Sequence, residues 1–166
     1  MQAIYALVLA TLTAIHPGAP RRNVTEIGSA IATTIDRDCK GDGALGSCAL
    51  DAVTLAVTAE EEGRLCLGRE CTRSDGGVSV STMQVWTYSA AEADHLETDI
   101  LAATRRAYVV LRASARRCPE EPLAGYVGGC GRRGARRLAA ARLARARAIL
   151  PVALVAALDG AGISGN

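Results

Sequence analysis

Three consecutive carboxylates, Glu60, Glu61 and Glu62, close an apolar stretch that begins at Leu50. At the C-terminal end of a helix the backbone dipole disfavours negative charge. Three adjacent carboxylates also repel one another, so burial of any one of them is expected to raise its pKa. A carboxylic acid that keeps its proton near neutral pH is the group a general acid requires. A solvated acidic face at the end of a helix is the plainer reading of the same residues. The second chemical feature is six cysteines, Cys39, Cys48, Cys66, Cys71, Cys118 and Cys130. An even number in a short chain has the arithmetic of a disulfide framework, and six cysteines allow about 15 connectivities. Near-neighbour pairing is expected: Cys39 with Cys48, Cys66 with Cys71, Cys118 with Cys130. Neither His16 nor His95 stands in C-x-x-H register with a cysteine and no C-x-x-C is present, so zinc, and any other metal or cofactor, is not expected. Disulfides place the chain in an oxidising, extracytoplasmic setting: periplasmic, secreted or virion-associated.

The elements that must position these residues read as a string of helices interrupted once. The chain has 166 residues, 49% hydrophobic and 22% charged, a composition of one globular domain spanning 1–166. Only 3% is aromatic, with no phenylalanine and Trp86 as the sole tryptophan, so the core must be built from Ala, Leu, Val and Ile. No apolar run reaches the roughly 18 residues of a membrane-spanning helix. Ile4 to Ile15 lacks both a preceding basic residue and a following A-x-A, which makes it a poor signal peptide; Ile4, Leu7, Val8, Leu12 and Ile15 share one helical face. The spacing predicts a first helix over 3–15, peripheral to the core, stopped by His16-Pro17-Gly18-Ala19-Pro20. A second helix from Asn23 or Thr25 carries Ile27, Ile31 and Ile35 on one face. Asp38 to Ser47 reads as a loop, and Leu50 to Glu62 as a helix burying Leu50, Val53 and Val57. From Gly63 to Val85 the pattern turns short and β-branched, with Ser74-Asp75-Gly76-Gly77 as a turn and Val78 to Ser81 as a small strand, a minor hairpin. Helical spacing returns from about Ala90 to Ser114 and again from Gly134 to Leu150, where Pro151 ends it and leaves 151–166 as a peripheral tail. The fold class is α+β, mostly helical.

Charge is segregated: residues 1–104 carry 7 basic and 14 acidic side chains, residues 105–166 carry 12 and 3. The two halves should attract. Arg132, Arg133, Arg136, Arg137, Arg142, Arg145 and Arg147 lie on the last helix or just before it. With little aromatic stacking surface and no recognisable nucleotide-binding loop, nucleic acid is not an expected partner; a solvated face that pairs with the acidic half is.

Leu55-Ala56-Val57-Thr58-Ala59-Glu60-Glu61-Glu62-Gly63-Arg64-Leu65 resembles the helix-end motif of lysozyme-like lytic transglycosylases, an apolar helix closing in E-S-x-F. Ser81-Thr82-Met83-Gln84-Val85 is similar to that family's G-L-M-Q-V segment, and Gly125-Tyr126-Val127-Gly128-Gly129 to its A-Y-N-x-G segment. The three follow the family's order and span approximately Leu50 to Leu150. Gly63, Leu65, Thr82 and Val127 depart from the family's Ser, aromatic, Leu and Asn. The resemblance implies a lysozyme-like domain acting on peptidoglycan glycan strands. Glu62, or Glu61 in a shifted register, would protonate the glycosidic oxygen between N-acetylmuramic acid and N-acetylglucosamine. It would then take the proton of the sugar's own 6-hydroxyl as a 1,6-anhydro ring closes, so one carboxyl group suffices. Met83 and Gln84 would line the sugar site, and Tyr126 would place its hydroxyl near the acid or the N-acetyl group. Each also has a structural reading: Met83 as core, Gln84 as a cap, Tyr126 as packing. Trp86 stacks on a sugar ring or fills the core. Asp75 is a turn former that, as the second carboxylate, would position a water and make the protein a lysozyme-type hydrolase. A non-catalytic wall-binding module is the alternative of a different class.

Overall fold

The computed structural model describes residues 2–74 and 78–160. Six helices and a small sheet follow in order: α1 (Gln2–Ile15), α2 (Arg21–Asp38), α3 (Cys48–Gly63), a 3-10 turn (Gly68–Cys71), β1 (Arg73–Ser74), β2 (Val78–Val80), β3 (Val85–Thr87), α4 (Ala90–Thr98), α5 (Ile100–Arg117) and α6 (Arg133–Gly160). The sheet is antiparallel in the order β1-β2-β3. Its register pairs Arg73 with Ser79, and Ser79 in turn with Trp86. The hairpin expected between the helices is therefore present, with β3 added beyond it.

Helix α3 is the axis of the molecule. Every residue from Leu50 to Ala59 is buried, as an apolar helix surrounded on all sides must be. It starts at Cys48, two residues before the first apolar position, because the Ser47 side chain accepts from Leu50 N at 3.0 Å and caps it. Helices α1, α2 and α6 pack around it, with α5 laid on α2. The sequence assigns α1 to the periphery; the structure corrects this. Leu7, Val8 and Leu12 are buried against α2, α3 and α6, because the face they share has nowhere else to be shielded from water. Helix α2 begins at Arg21 instead of at Asn23 or Thr25: Pro20 is the N-cap, non-helical at ψ 129°, and its carbonyl accepts the first helical bond from Val24 N at 3.1 Å. Asn23 is thereby released from capping, and its Nδ2 donates to Leu65 O at 2.9 Å.

Two further boundaries differ from the periodicity. The helix expected over 90–114 is divided at Asp99, whose side chain accepts from Ala102 N at 2.9 Å and opens α5. An aspartate in mid-pattern was an N-cap signal that the apolar spacing concealed. Helix α6 runs through Pro151 to Gly160, so 151–166 is not wholly a tail. Pro151 removes one backbone hydrogen bond. It faces solvent, and Ala153 beyond it is buried in the core, so the packing of the last turns outweighs the missing bond.

The three disulfides pair as the spacing suggests: Cys39 with Cys48, Cys66 with Cys71 and Cys118 with Cys130. The first closes the loop before α3 over a buried carboxylate. Asp51 accepts from Ala44 N at 2.7 Å, Leu45 N at 2.9 Å and the Tyr108 hydroxyl at 2.8 Å. Burial pushes its carboxyl above the usual range against the pull of these donors, and Tyr108 is raised too, by its own burial first and then by Asp51. Asp51→Asn turns an acceptor into an amide N–H2 among converging donors. It should cost about 1–3 kcal/mol of unfolding free energy. A raised carboxyl pKa means that the folded state holds more protons than the unfolded one just above the ordinary carboxylate range, so stability falls as pH rises through the titration. The asparagine variant lacks that titration, and in urea melts the gap between the two proteins should narrow as pH rises. A gap that widened would overturn this account of Asp51. Among the described residues no helix is long and apolar enough to cross a membrane.

Candidate active site

The C-terminal end of α3 meets the sheet at a close approach. A Cβ on Gly63 would lie 2.5 Å from Thr82 Cα and 2.6 Å from Thr82 O, so no larger residue fits there without moving backbone. Thr82 Oγ1 donates to Ala59 O at 2.9 Å, fastening the β2–β3 turn to the helix. The chain leaves α3 through Arg64 and Leu65, with φ of 49° and 56°, and turns between β2 and β3 through Ser81 and Gln84, with φ of 62° and 48°. Such angles are costly for residues with a Cβ and are held by their surroundings. Here Gln84 N donates to Ser81 O at 3.0 Å, and Gln84 Nε2 donates to Ser81 O at 2.9 Å and to Cys71 O.

The third segment is the loop between α5 and α6, closed by Cys118–Cys130. Tyr126 N donates to Ser114 Oγ at 3.2 Å. Gly125 lies so near α5 that a Cβ would sit 2.7 Å from that same oxygen. The Tyr126 hydroxyl donates to Met83 O at 2.6 Å, linking this loop to the β2–β3 turn. Burial, and then the negative charge of Glu62, push the Tyr126 hydroxyl well above its ordinary pKa, so it stays a neutral donor.

These three segments bound a cleft of about 680 Å³. Glu62 comes from the end of α3, Gln84 and Trp86 from the sheet, and Tyr126 from the α5–α6 loop. Four of the residues named from sequence thus share one wall-to-wall space. Met83 does not. Its side chain is fully buried in the core, so it offers the site its carbonyl and not a sugar-contacting surface. Trp86 resolves toward the cleft: it is 38% exposed while its neighbours Val85 and Thr87 are buried. Asp75 lies outside the described residues.

Sequence reasoning missed Tyr88 and read Arg132 only as part of a solvated face; both line the cleft. Tyr88 is 85% exposed and meets Trp86 edge-on, ring centres 5.7 Å apart at 82°. The signal was present in Trp86-Thr87-Tyr88: Tyr88 directly follows β3, two residues after Trp86, and the alternation of a strand places the two on one face.

The electrostatics of the acidic run correct the expectation of mutual repulsion. Arg142 and Arg145 come from one face of α6 to meet it. Arg142 Nε donates to Glu61 Oε2 and its Nη2 to Glu62 Oε1, both at 2.8 Å. Arg145 Nη1 donates at 2.9 Å to both Glu60 Oε2 and Glu61 Oε1. Arg142 is only 3% exposed, a buried guanidinium and not part of a solvated face. Burial acts to raise the Glu61 carboxyl, but Arg145 and Arg142 together overcome it and hold it below the usual range. Glu61, the second choice for the acid, is not among the residues lining the cleft and has both oxygens bound by arginines. The attraction between the acidic and basic halves is realised here, and also in Arg105–Asp38 at 3.0 Å. Among the described residues no cluster of three or more His, Cys, Asp or Glu side chains is placed to hold a metal ion. No family model, curated protein or solved structure matches the chain.

Proposed function

We propose that the cleft holds a peptidoglycan glycan strand and cuts the β-1,4 bond between N-acetylmuramic acid and N-acetylglucosamine, in a lysozyme-like domain that works outside the cytoplasm. One observation carries the reading: the three segments that resemble lytic transglycosylase motifs, far apart in the chain, supply Glu62, Gln84 and Tyr126 to a single cleft. The exposed Trp86–Tyr88 pair offers the apolar faces on which sugar rings stack. The protonated Glu62 gives its proton to the glycosidic oxygen as the bond from C1 to that oxygen breaks. The 6-hydroxyl of the same muramic residue then closes on C1, and its proton returns to the Glu62 carboxylate. Because the nucleophile is internal to the sugar, no second carboxylate is required. Three disulfides support an oxidising location.

A second reading has its own observation. Arg142 Nη2 donates to Glu62 Oε1 at 2.8 Å, so that oxygen is already engaged within the protein. This supports a wall-binding module without cleavage. Digestion of purified peptidoglycan separates the two. Under the catalytic reading the wild type releases 1,6-anhydro muropeptides by mass spectrometry, and Glu62→Gln slows release by about 10²–10⁴-fold while Glu61→Gln retains it. Reducing-end products would move the reaction to hydrolysis and turn attention to Asp75. Sedimentation with intact walls and no released fragments would select the binding module.

A further inference from the structure

We infer that Arg132 is a specificity-determining residue of the cleft, a guanidinium that binds a carboxylate carried on the lactyl arm of a muramic residue; this rests on the glycan reading above. Arg132 is exposed, and it is the one cation lining the cleft among the described residues, where Glu62 is the one anion. Its side chain makes no hydrogen bond or ion pair among those residues. Arg142 and Arg145, farther along α6, are by contrast each held by carboxylates of the acidic run. Its backbone is fixed: Arg132 N donates to Gly129 O at 3.2 Å, and Arg132 O accepts from Arg136 N at 3.0 Å at the start of α6. Cys130, two residues before it, is tied to Cys118.

A glycan strand alternates a neutral sugar with one that bears a 3-O-lactyl ether. Only the second can offer a carboxylate, either the lactyl group itself in peptide-free strands or a free carboxylate of an attached peptide. Guanidinium binds carboxylate in a planar, two-bond fork. The aromatic pair has no means of telling the two sugars apart by charge. Arg132 does, and it would thereby fix which sugar sits beside Glu62.

The test is calorimetric titration at low salt in the Glu62→Gln background, so that no strand is cut, with Arg, Gln or Lys at position 132. Three probes are used: the β-1,4 tetramer of N-acetylglucosamine, the alternating tetrasaccharide with free lactyl groups, and the same tetrasaccharide amidated with L-Ala-D-Glu. With Arg132 present, a carboxylate-bearing probe should bind about tenfold tighter than the neutral tetramer, the worth of one charge-assisted bond in a solvated site. Arg132→Gln should erase that advantage, so that carboxylate-bearing and neutral probes bind alike, and Arg132→Lys should restore part of it. An advantage confined to the free lactyl probe names that group, and one confined to the amidated probe names the peptide; either supports the inference. An advantage that survives in Arg132→Gln, or no advantage at all with the neutral tetramer still bound, overturns the role of Arg132 and leaves the glycan reading standing. Absence of binding by all three probes removes that reading and this inference with it.

Discussion

Arg142→Ala is expected to lower the unfolding free energy by about 3–5 kcal/mol, the usual cost of removing one partner from a buried ion pair. Its guanidinium is 3% exposed and bonds Glu61 and Glu62 together. Without it, Glu61 loses one of its two arginines and Glu62 loses this charge-assisted bond, both at the C-terminal end of α3. The pH dependence supplies an independent check. Glu61 is held below its ordinary pKa of 4.5. A depressed carboxyl contributes stability that is complete above the unfolded value and disappears as pH falls through the folded one. Wild type should therefore lose stability on acidification from about pH 5 downward, and Arg142→Ala should lose less over the same interval, having less to lose. Urea melts at neutral pH and near pH 3 read both effects. A variant as stable as wild type at neutral pH would show that desolvation of the guanidinium cancels its bonds. Replacement by methionine distinguishes charge from volume, since it keeps the packing while removing the donors.

How the site could be read from sequence follows the same division between local and distant causes. The helix ending at Glu62 was legible because an apolar run needs a buried place and α3 has one. The disulfide pairs were legible from loop length. Gln84, Trp86 and Tyr126 were legible only through the order of three short segments, because nothing local says that a turn, a strand and a loop will face one cleft. Met83 shows the limit of that route. The segment lies where expected, yet the side chain turns inward and only its carbonyl serves the Tyr126 hydroxyl. The acidic run was misread for a related reason. Repulsion among Glu60, Glu61 and Glu62 is a local inference, whereas the arginines that answer it stand about eighty positions away at 142 and 145. The segregation of charge between the halves of the chain foretold attraction in general and could not say which residues would meet. Tyr88 escaped notice and Arg132 was read only as part of a solvated basic face, because neither belongs to a motif; their place is set by the segment after β3 and by the loop before α6.

Reduction of the three disulfides should have the largest effect on the protein as a whole. The bridged residues are 9, 5 and 12 positions apart. Restricting loops of that length in the unfolded chain is worth about 2–3 kcal/mol each. Against a typical domain stability of about 5–15 kcal/mol, loss of all three leaves little margin. The consequences should differ by bridge. Cys66–Cys71 holds the carbonyl to which Gln84 Nε2 donates, and Cys118–Cys130 closes the loop that presents Tyr126 and Arg132. Cys39–Cys48 closes the loop over Asp51, away from the cleft. Paired Cys→Ser substitution at Cys39 and Cys48 should thus lower the thermal midpoint while leaving the glycan binding proposed above intact below it. The same pair at Cys118 and Cys130 should weaken binding even at temperatures where circular dichroism still reports a folded helical protein. Equal binding losses from the two pairs would mean that the bridges act only through global stability, because a bridge distant from the cleft can reach the ligand by no other route.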